Sequence, residues 1–154
     1  MSKVAPRGSF VQFEISEVLA ISPTEAWNRL TDWKGHGEWV PMTKVEVDPN
    51  DPARFVAWSG LGRLALEDRM HADSVEFDGS TGRGHVNKLG PVLVGDAEFT
   101  VAPGRLPSES IVGWRESVRV PYLPRVFAPL VARVGAMLFR SSLKRMARIA
   151  RDVR

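Results

Sequence analysis

The last thirty residues of the chain, 125–154, constrain its fold more than any other segment. Apolar residues recur there at the spacing that places side chains on one face of an α-helix, with basic residues between them. The apolar stripe consists of Phe127, Val131, Val134 and Leu138, and the basic face of Arg133, Arg140, Lys144 and Arg151. The pattern predicts a long helix that kinks or begins near Pro129 and lays its apolar stripe on a large apolar surface. One small, curved antiparallel sheet would supply that surface.

Length and composition indicate a globular protein of one domain. A chain of 154 residues with 44% hydrophobic and 25% charged residues is of ordinary single-domain size and composition. We therefore expect one domain over residues 1–154, with residues 1–8 as a loose tail. The absence of cysteine excludes disulfides and thiolate metal sites and favours the cytoplasm. The first eight residues lack the apolar stretch of a signal peptide, which also predicts a soluble cytoplasmic protein.

The formal charge of +3 is distributed unevenly along the chain. Residues 125–154 carry eight basic residues against Asp152 alone, a balance of +7, so the rest of the chain carries −4. A surface that binds nucleic acid usually combines its basic residues with aromatic side chains that stack on bases, so we expect no nucleic-acid partner. Two interpretations of the basic helix stay open. It is a solvated face, or it makes weak contact with an anionic membrane, where each basic side chain contributes about 1 kcal/mol.

The remaining chain is predicted to contain one strand, two short helices and a series of further strands. Phe10 to Ala20 alternates in polarity as a strand does, and Glu17 falls in phase with its apolar residues, which indicates a bulge or an inward carboxylate. Ser22-Pro23-Thr24-Glu25 has the residues of a capping box and begins a helix. Residues 32–41 predict a turn or short helix that plugs one end of the domain. Strand patterns follow at 43–47, 54–58, 63–71, 75–78, 84–89, 93–101 and 111–120.

This order of elements predicts an α+β fold in which the terminal helix packs across an antiparallel sheet. Strongly twisted sheets curl, so a long helix laid on the concave side leaves a space unless large side chains fill it. A ligand would occupy that space.

Several segments of the sequence resemble the START-like, or SRPBCC, superfamily, in its polyketide cyclase/dehydrase and lipid transport branch. The resemblance is carried by residues 21–27, Leu30-Thr31-Asp32-Trp33, Trp39-Val40-Pro41, Phe55, 59–62, Asp68-Arg69-Met70, Lys88-Leu89-Gly90, Gly95, Trp114-Arg115-Glu116 and Pro121. It covers nearly the whole chain. It implies the helix-grip fold, in which a seven-stranded antiparallel sheet wraps around the C-terminal helix and a hydrophobic cavity. The same fold serves carriers, hormone receptors and aromatase/cyclases, so the resemblance implies no single activity.

Three charged residues, Asp68, Lys88 and Glu116, lie on predicted strands, and the two carboxylates are in phase with apolar neighbours. A buried charge costs several kcal/mol unless it is paired, so we expect Lys88 to pair with at least one carboxylate. The cluster is then either an ion pair that fixes strand register or a polar anchor or proton donor at the cavity.

The histidines His36, His71 and His85 lack the spacing of metal ligands, so neither a metal nor a cofactor is expected. Asp68, His85 and Glu116 are weak candidates for catalytic residues. Of these, His85 could face the cavity and act as a general base. No motif of a nucleophilic serine or a phosphate-binding loop is present in the sequence.

The residues expected to bind a ligand combine strand positions with one side of the terminal helix. They are Trp58, Leu66, Asp68, Met70, Lys88, Trp114 and Glu116 on strands and Phe127, Val131, Val134, Met137 and Leu138 on the helix. The leading hypothesis is a monomer or weak homodimer that carries or senses a lipid, isoprenoid or polyketide without transforming it. The alternative is an aromatase/cyclase or dehydratase acting in the same cavity, and a third is a module that contacts membranes through the basic helix.

Overall fold

The computed structural model describes residues 8–60 and 65–153. Its elements are β1 (Gly8–Leu19), α1 (Pro23–Thr31), α2 (His36–Trp39), β2 (Thr43–Asp48), β3 (Asp51–Ser59), β4 (Leu66–Phe77), β5 (Gly82–Pro91), β6 (Val94–Pro103), β7 (Ser110–Pro121), a 3₁₀ turn (Arg125–Phe127) and α3 (Ala128–Asp152). The seven strands form one antiparallel sheet in the order β1-β7-β6-β5-β4-β3-β2. The predicted sheet with two short helices after its first strand and a long C-terminal helix is therefore confirmed.

Local signals placed the first elements correctly. Ser22 caps α1, since its hydroxyl oxygen accepts a hydrogen bond from the amide of Glu25 at 3.2 Å, and Pro23 occupies the first turn. The register between β1 and β7 continues without a bulge, so Glu17 lies on the inward face of β1. There its carboxylate lies 3.6 Å from the guanidinium of Arg140 on α3. Of the two interpretations of Glu17, the inward carboxylate is the one observed.

Most predicted strand ends shift by one to three residues, and two predicted segments differ more. The strands expected at 63–71 and 75–78 are one strand, β4, whose pairing with β5 shifts between Ala72 and Ser74, so the irregular residues are absorbed as a bulge. Of the predicted N-terminal tail, residues 1–7 lie outside the described residues, and Gly8 already pairs with Pro121. The predicted loop at 59–62 lies partly outside them as well, as do the first residues of the segment 63–71.

The long helix α3 packs on the sheet through a face other than the predicted one. Its buried residues are Ser142, Leu143, Met146, Ala147 and Ala150. Phe127, Val134, Met137 and Leu138 are 42–64% exposed, and Val131 is only half-buried. Small residues allow the helix to approach β1 closely, since a Cβ on Gly135 would lie 2.9 Å from Cε1 of Phe13. The first half of α3 is apolar on almost every side, so periodicity alone could not choose its buried face.

Candidate functional site

A cavity of about 110 Å³ lies between the concave side of the sheet, the segment that contains α2, and α3. Most of its walls are apolar. The residues that line it are Trp33, His36, Trp39, Val40, Thr43, Val45, Phe55, Ala57, Ser59, Asp68, Met70, Val86, Lys88, Ala97, Trp114 and Phe139. The structure thus has a space where the sequence predicted one, and residues 33–40 form one wall of it.

Aromatic rings fill most of the volume between the sheet and α3. Trp33 stacks on Phe55 with 4.8 Å between ring centroids, and Trp114 stacks on Phe139 at the same distance. Phe99 lies between these pairs, 5.7 Å from Trp114 and 6.1 Å from Trp33. Pockets for drug-sized ligands usually measure roughly 300–1,000 Å³, so the space that remains here is that of a much smaller molecule.

A buried ion cluster forms the polar end of the cavity. Nζ of Lys88 lies 2.7 Å from Oδ2 of Asp68 and 2.8 Å from Oε1 of Glu116, so Lys88 pairs with both carboxylates where at least one was predicted. All three side chains are almost fully buried. Lys88 on β5 reaches Glu116 on β7 across β6, where the residues that pair with Lys88 and Glu116 are Gly95 and Ala97. These small residues leave room for the lysine chain.

The pKa values of the cluster follow from burial and from its charges. Burial raises the pKa of Asp68, although the ammonium of Lys88 opposes that shift, and the Glu116 carboxylate raises it further. For Lys88, burial alone would lower the pKa, but the attraction of Glu116 and Asp68 outweighs burial and raises it. Lys88 is therefore a cation held by two carboxyl groups, and burial biases Asp68 towards its neutral form.

Three polar atoms on cavity-lining residues have no hydrogen-bond partner. They are Nε1 of Trp39, Nε1 of Trp114 and Oδ1 of Asp68. The only other such buried side-chain atom within residues 8–60 and 65–153 is Oγ of Ser110. Leaving a buried donor or acceptor unpaired costs about 1–3 kcal/mol, so a hydrogen-bond partner for any of these atoms would stabilise the protein.

His36 also lines the cavity, from the first residue of α2. Its Nε2 lies 2.7 Å from the carbonyl oxygen of Leu30, so the tautomer with a proton on Nε2 donates this hydrogen bond. Burial lowers the pKa of His36 to about 4, although the bond to Leu30 and the nearby Asp32 oppose the shift. The imidazole is therefore neutral at pH 7 and fixes α2 to the end of α1.

His85 lies outside the cavity, contrary to its proposed place there. Gly84, Val86 and Lys88 occupy the inward positions of β5, which leaves His85 on the other face of the sheet. Its two ring nitrogens lie 2.6 Å from Oδ1 of Asp73 and 2.9 Å from Oδ2 of Asp96. Burial opposes protonation of His85, but the hydrogen bonds to Asp73 and Asp96 outweigh it and raise the pKa.

No group of three or more His, Asp or Glu side chains within the described part of the chain could hold a metal ion. The acidic pair around His85 therefore does not extend to a metal-binding cluster.

The structure brings together only some of the residues that the sequence suggested for ligand binding. Asp68, Met70, Lys88 and Trp114 line the cavity, and Glu116 contacts it only through Lys88. Trp58 is out of phase with the inward Phe55 and Ala57, and Leu66 is 52% exposed at the start of β4. The expected helix residues Phe127, Val131, Val134, Met137 and Leu138 all lie outside the cavity, because α3 is turned away from the predicted orientation.

Several lining residues were not among the predicted site residues, although the sequence contained signals for them. The alternation of β3 and β5 places Phe55, Ala57 and Val86 on the same face as Lys88. Trp33 and Trp39 belong to residues 32–41, the segment predicted to cover one end of the domain. Large side chains of such a segment are expected to point into the interior that it covers. No sequence pattern pointed to Phe139, since its position depends on how α3 is rotated.

Comparisons of structure show close agreement in fold with known proteins. The chain is similar to the Zhui aromatase/cyclase from Streptomyces sp. R1128, with 15% identity, a TM-score of 0.70 and coverage of 95% of this chain and 97% of that one. It is similar to a START superfamily protein from Mycobacterium smegmatis at 10% identity, with a TM-score of 0.69 and coverage of 93% and 99%. It is also similar to a conserved protein from Geobacillus kaustophilus at 11% identity, with a TM-score of 0.70 and coverage of 92% of this chain and 96% of that one. At these identities the similarity concerns the fold alone.

Comparison of sequences identifies the family. No curated protein matches the chain. The sequence pattern of the family described as polyketide cyclase / dehydrase and lipid transport matches residues 11–151, which is nearly the whole chain and includes every element from β1 to α3. The chain therefore belongs to the polyketide cyclase/dehydrase and lipid transport family, with the START-like fold.

Proposed function

We propose that this protein binds a hydrophobic small molecule in the cavity between its sheet and α3, as a carrier or a sensor, and does not transform it. The observation that carries the proposal is an apolar cavity lined by residues that carry unpartnered buried polar atoms. A space of this kind that served packing alone would be filled by side chains, because protein interiors are close-packed.

The size of the cavity limits what it holds. An apolar cavity of about 150 Å³ takes a single benzene molecule. The cavity here, at about 110 Å³, therefore suits a molecule of about one ring or one end of a longer chain. A whole lipid, isoprenoid or polyketide would require Trp33, Trp39 or Phe139 to move aside.

Binding of a plain apolar probe tests the proposal. We expect methylcyclohexane to bind, since the walls are apolar, and to raise the melting temperature by a few degrees at a concentration near 100 times its Kd. Quenching or enhancement of tryptophan fluorescence measures the affinity directly, because Trp33, Trp39 and Trp114 line the cavity and the probe does not absorb near 280 nm.

A variant that fills the cavity provides the control. Val86→Phe adds a ring at the wall and should abolish the shift, whereas Val18→Phe adds the same ring at a position that is 64% exposed and should leave it unchanged. If the wild-type protein shows no affinity for methylcyclohexane, or if Val86→Phe binds it equally well, the proposal is wrong.

An aromatase/cyclase or dehydratase reaction is the second candidate, and the state of Asp68 favours it. Burial raises the pKa of this carboxyl group at the cavity wall, which is the direction expected for a group that donates a proton to a substrate. The two functions respond differently to Asp68→Asn. That substitution would abolish a reaction that needs the proton of Asp68, while methylcyclohexane binding would continue.

A further inference from the structure

The unpartnered polar atoms are concentrated at the cavity. Of the four in residues 8–60 and 65–153, three belong to residues that line it: Trp39, Trp114 and Asp68. The three polar atoms are themselves buried, so bulk water does not solvate them. An apolar molecule would fill the space but leave all three atoms without a partner.

The chemistry of these atoms defines the group that satisfies them. An indole N–H only donates, whereas an ionised carboxylate oxygen only accepts. A hydroxyl group matches both, because its oxygen accepts from an indole and its hydrogen is donated to Asp68. The cavity holds about one ring, so a molecule that fills it lies against Trp114 and Asp68 at once.

The charges at the cavity exclude an anionic ligand. The ammonium of Lys88 is already held at 2.7 Å and 2.8 Å by Asp68 and Glu116. The cluster is negative in total when both carboxyl groups are ionised and neutral when one is protonated, so it offers no free positive charge to a carboxylate or phosphate. The cavity therefore favours a neutral ligand.

From these observations we infer that the ligand is a neutral molecule of about one ring that carries a hydroxyl group, held by Asp68 and the indole N–H of Trp114. This inference rests on the proposed function, because it specifies the ligand of the same cavity. Phenols and cyclic alcohols, or the hydroxylated ring of a larger compound, belong to this class.

A matched pair of probes tests the inference. Cyclohexanol and methylcyclohexane have similar shapes, differ in the hydroxyl group, and leave tryptophan fluorescence free as a readout. We expect Trp114→Phe and Asp68→Asn each to weaken cyclohexanol binding by about tenfold. The first variant removes the indole donor. In the second the amide oxygen must face Lys88, so an N–H donor replaces the oxygen that would accept from the hydroxyl. Methylcyclohexane binding should change by less than threefold in both variants. Trp27→Phe, which removes a buried indole that does not line the cavity, should alter neither affinity.

The outcomes separate this inference from the proposed function. If neither probe binds, the proposed function fails and the inference fails with it. If both probes bind and the variants leave cyclohexanol affinity unchanged, the cavity is a binding site but the inference is wrong. Tighter binding of cyclohexanecarboxylate than of cyclohexanol would overturn the statement that the ligand is neutral.

The exposed face of α3 is apolar in the first half of the helix and basic in the second half. The first half exposes Leu130, Val134, Met137 and Leu138, and the second half exposes Lys144, Arg145, Arg148 and Arg151. In the described chain, Arg125–Asp152 is long and apolar enough to cross a membrane by length and composition. Its second half, however, buries Leu143 and Met146 in the core, so the helix stays on the sheet.

The geometry points to an anionic lipid surface as the partner of this face. Exposed apolar side chains of a helix insert at the level of the head groups, while nearby basic side chains attract anionic lipids. Asp152 is the only acid in residues 125–154. A second copy of this chain, docked through the same face, would bring like charges together, which disfavours a homodimer here.

Vesicle sedimentation tests the membrane contact. Vesicles of phosphatidylcholine and phosphatidylglycerol at 3:1 should capture the protein, and vesicles of phosphatidylcholine alone should capture much less. The double variant Leu130→Glu with Met137→Glu should lower binding at least tenfold, while Leu106→Glu, at a loop position that is 55% exposed, should not. Absence of binding to the anionic vesicles would overturn the proposal, as would a dimer that the double variant dissociates without any vesicle binding by the wild-type protein.

Discussion

Replacing Lys88 by methionine is expected to lower the free energy of unfolding by about 3–5 kcal/mol at neutral pH. The substitution preserves the length of the side chain but leaves the carboxyl groups of Asp68 and Glu116 buried without the ammonium that holds both. Chemical denaturation of the wild-type protein and the variant measures the difference. A loss below 1 kcal/mol would show that the cluster does not stabilise the fold.

The loss should depend on pH in a defined direction. Without Lys88 no positive charge offsets the cost of burying the carboxylates of Asp68 and Glu116. Protonation removes that cost, so a fall in pH favours the folded state of the variant. The deficit should therefore be larger at pH 8 than at pH 5. The variant with Lys88→Met, Asp68→Asn and Glu116→Gln together removes all three charges and should recover most of the lost stability at both pH values.

The single variant Lys88→Met also separates the two interpretations of the cluster. A folded Lys88→Met protein that no longer binds cyclohexanol would indicate that the cluster serves the ligand. Loss of stability with binding retained in the folded fraction would indicate that its role is to hold strands β4, β5 and β7 together.

Acidification from pH 6.5 to pH 4 is expected to destabilise the protein by roughly 1–3 kcal/mol through His36 alone. The pKa of His36 is lowered to about 4 in the folded protein and is near 6.5 in the unfolded chain. Above pH 6.5 the imidazole is neutral in both states, and its contribution to stability is complete. As the pH falls towards 4, the unfolded chain binds a proton that the folded protein excludes, so stability is lost.

The variant His36→Gln isolates this effect, because glutamine donates a hydrogen bond but does not titrate in this range. We expect the stability difference between pH 6.5 and pH 4.5, measured by denaturation, to be smaller in the variant than in the wild-type protein. His85 affects stability in a different pH range. Its raised pKa contributes stability that is complete below pH 6.5 and is lost as the pH rises above that value. If the stability of the wild-type protein and of His36→Gln depended on pH equally, the lowered pKa of His36 would be contradicted.

Much of the fold was predictable because its signals are local. The capping residues Ser22 and Pro23 act within one helical turn, and alternation along β7 acts within one strand. The pairing of Lys88 with Asp68 and Glu116 was predictable for another reason. A charge placed in phase with apolar neighbours must find a partner nearby, and few candidates existed.

The candidate site was predicted less well. The alternation of β5 already distinguishes His85 from the cavity residues, because Val86 and Lys88 have the inward phase and His85 the outward one. The five residues expected from α3 failed for a different reason. The first half of that helix has apolar residues on nearly every side, and a periodic pattern chooses a buried face only where the other face is polar.

By itself, the sequence determined the antiparallel sheet with its long terminal helix, the family, and the pairing of Lys88 with at least one carboxylate, because these depend on neighbours along the chain or on the cost of burying charge. The tertiary structure alone decided the rotation of α3, the run of rings that reduces the cavity to about 110 Å³, and the three polar atoms that face no partner. These features depend on which distant side chains meet. Small residues such as Gly135 determine how closely α3 approaches the sheet, and that approach determines the space left for a ligand.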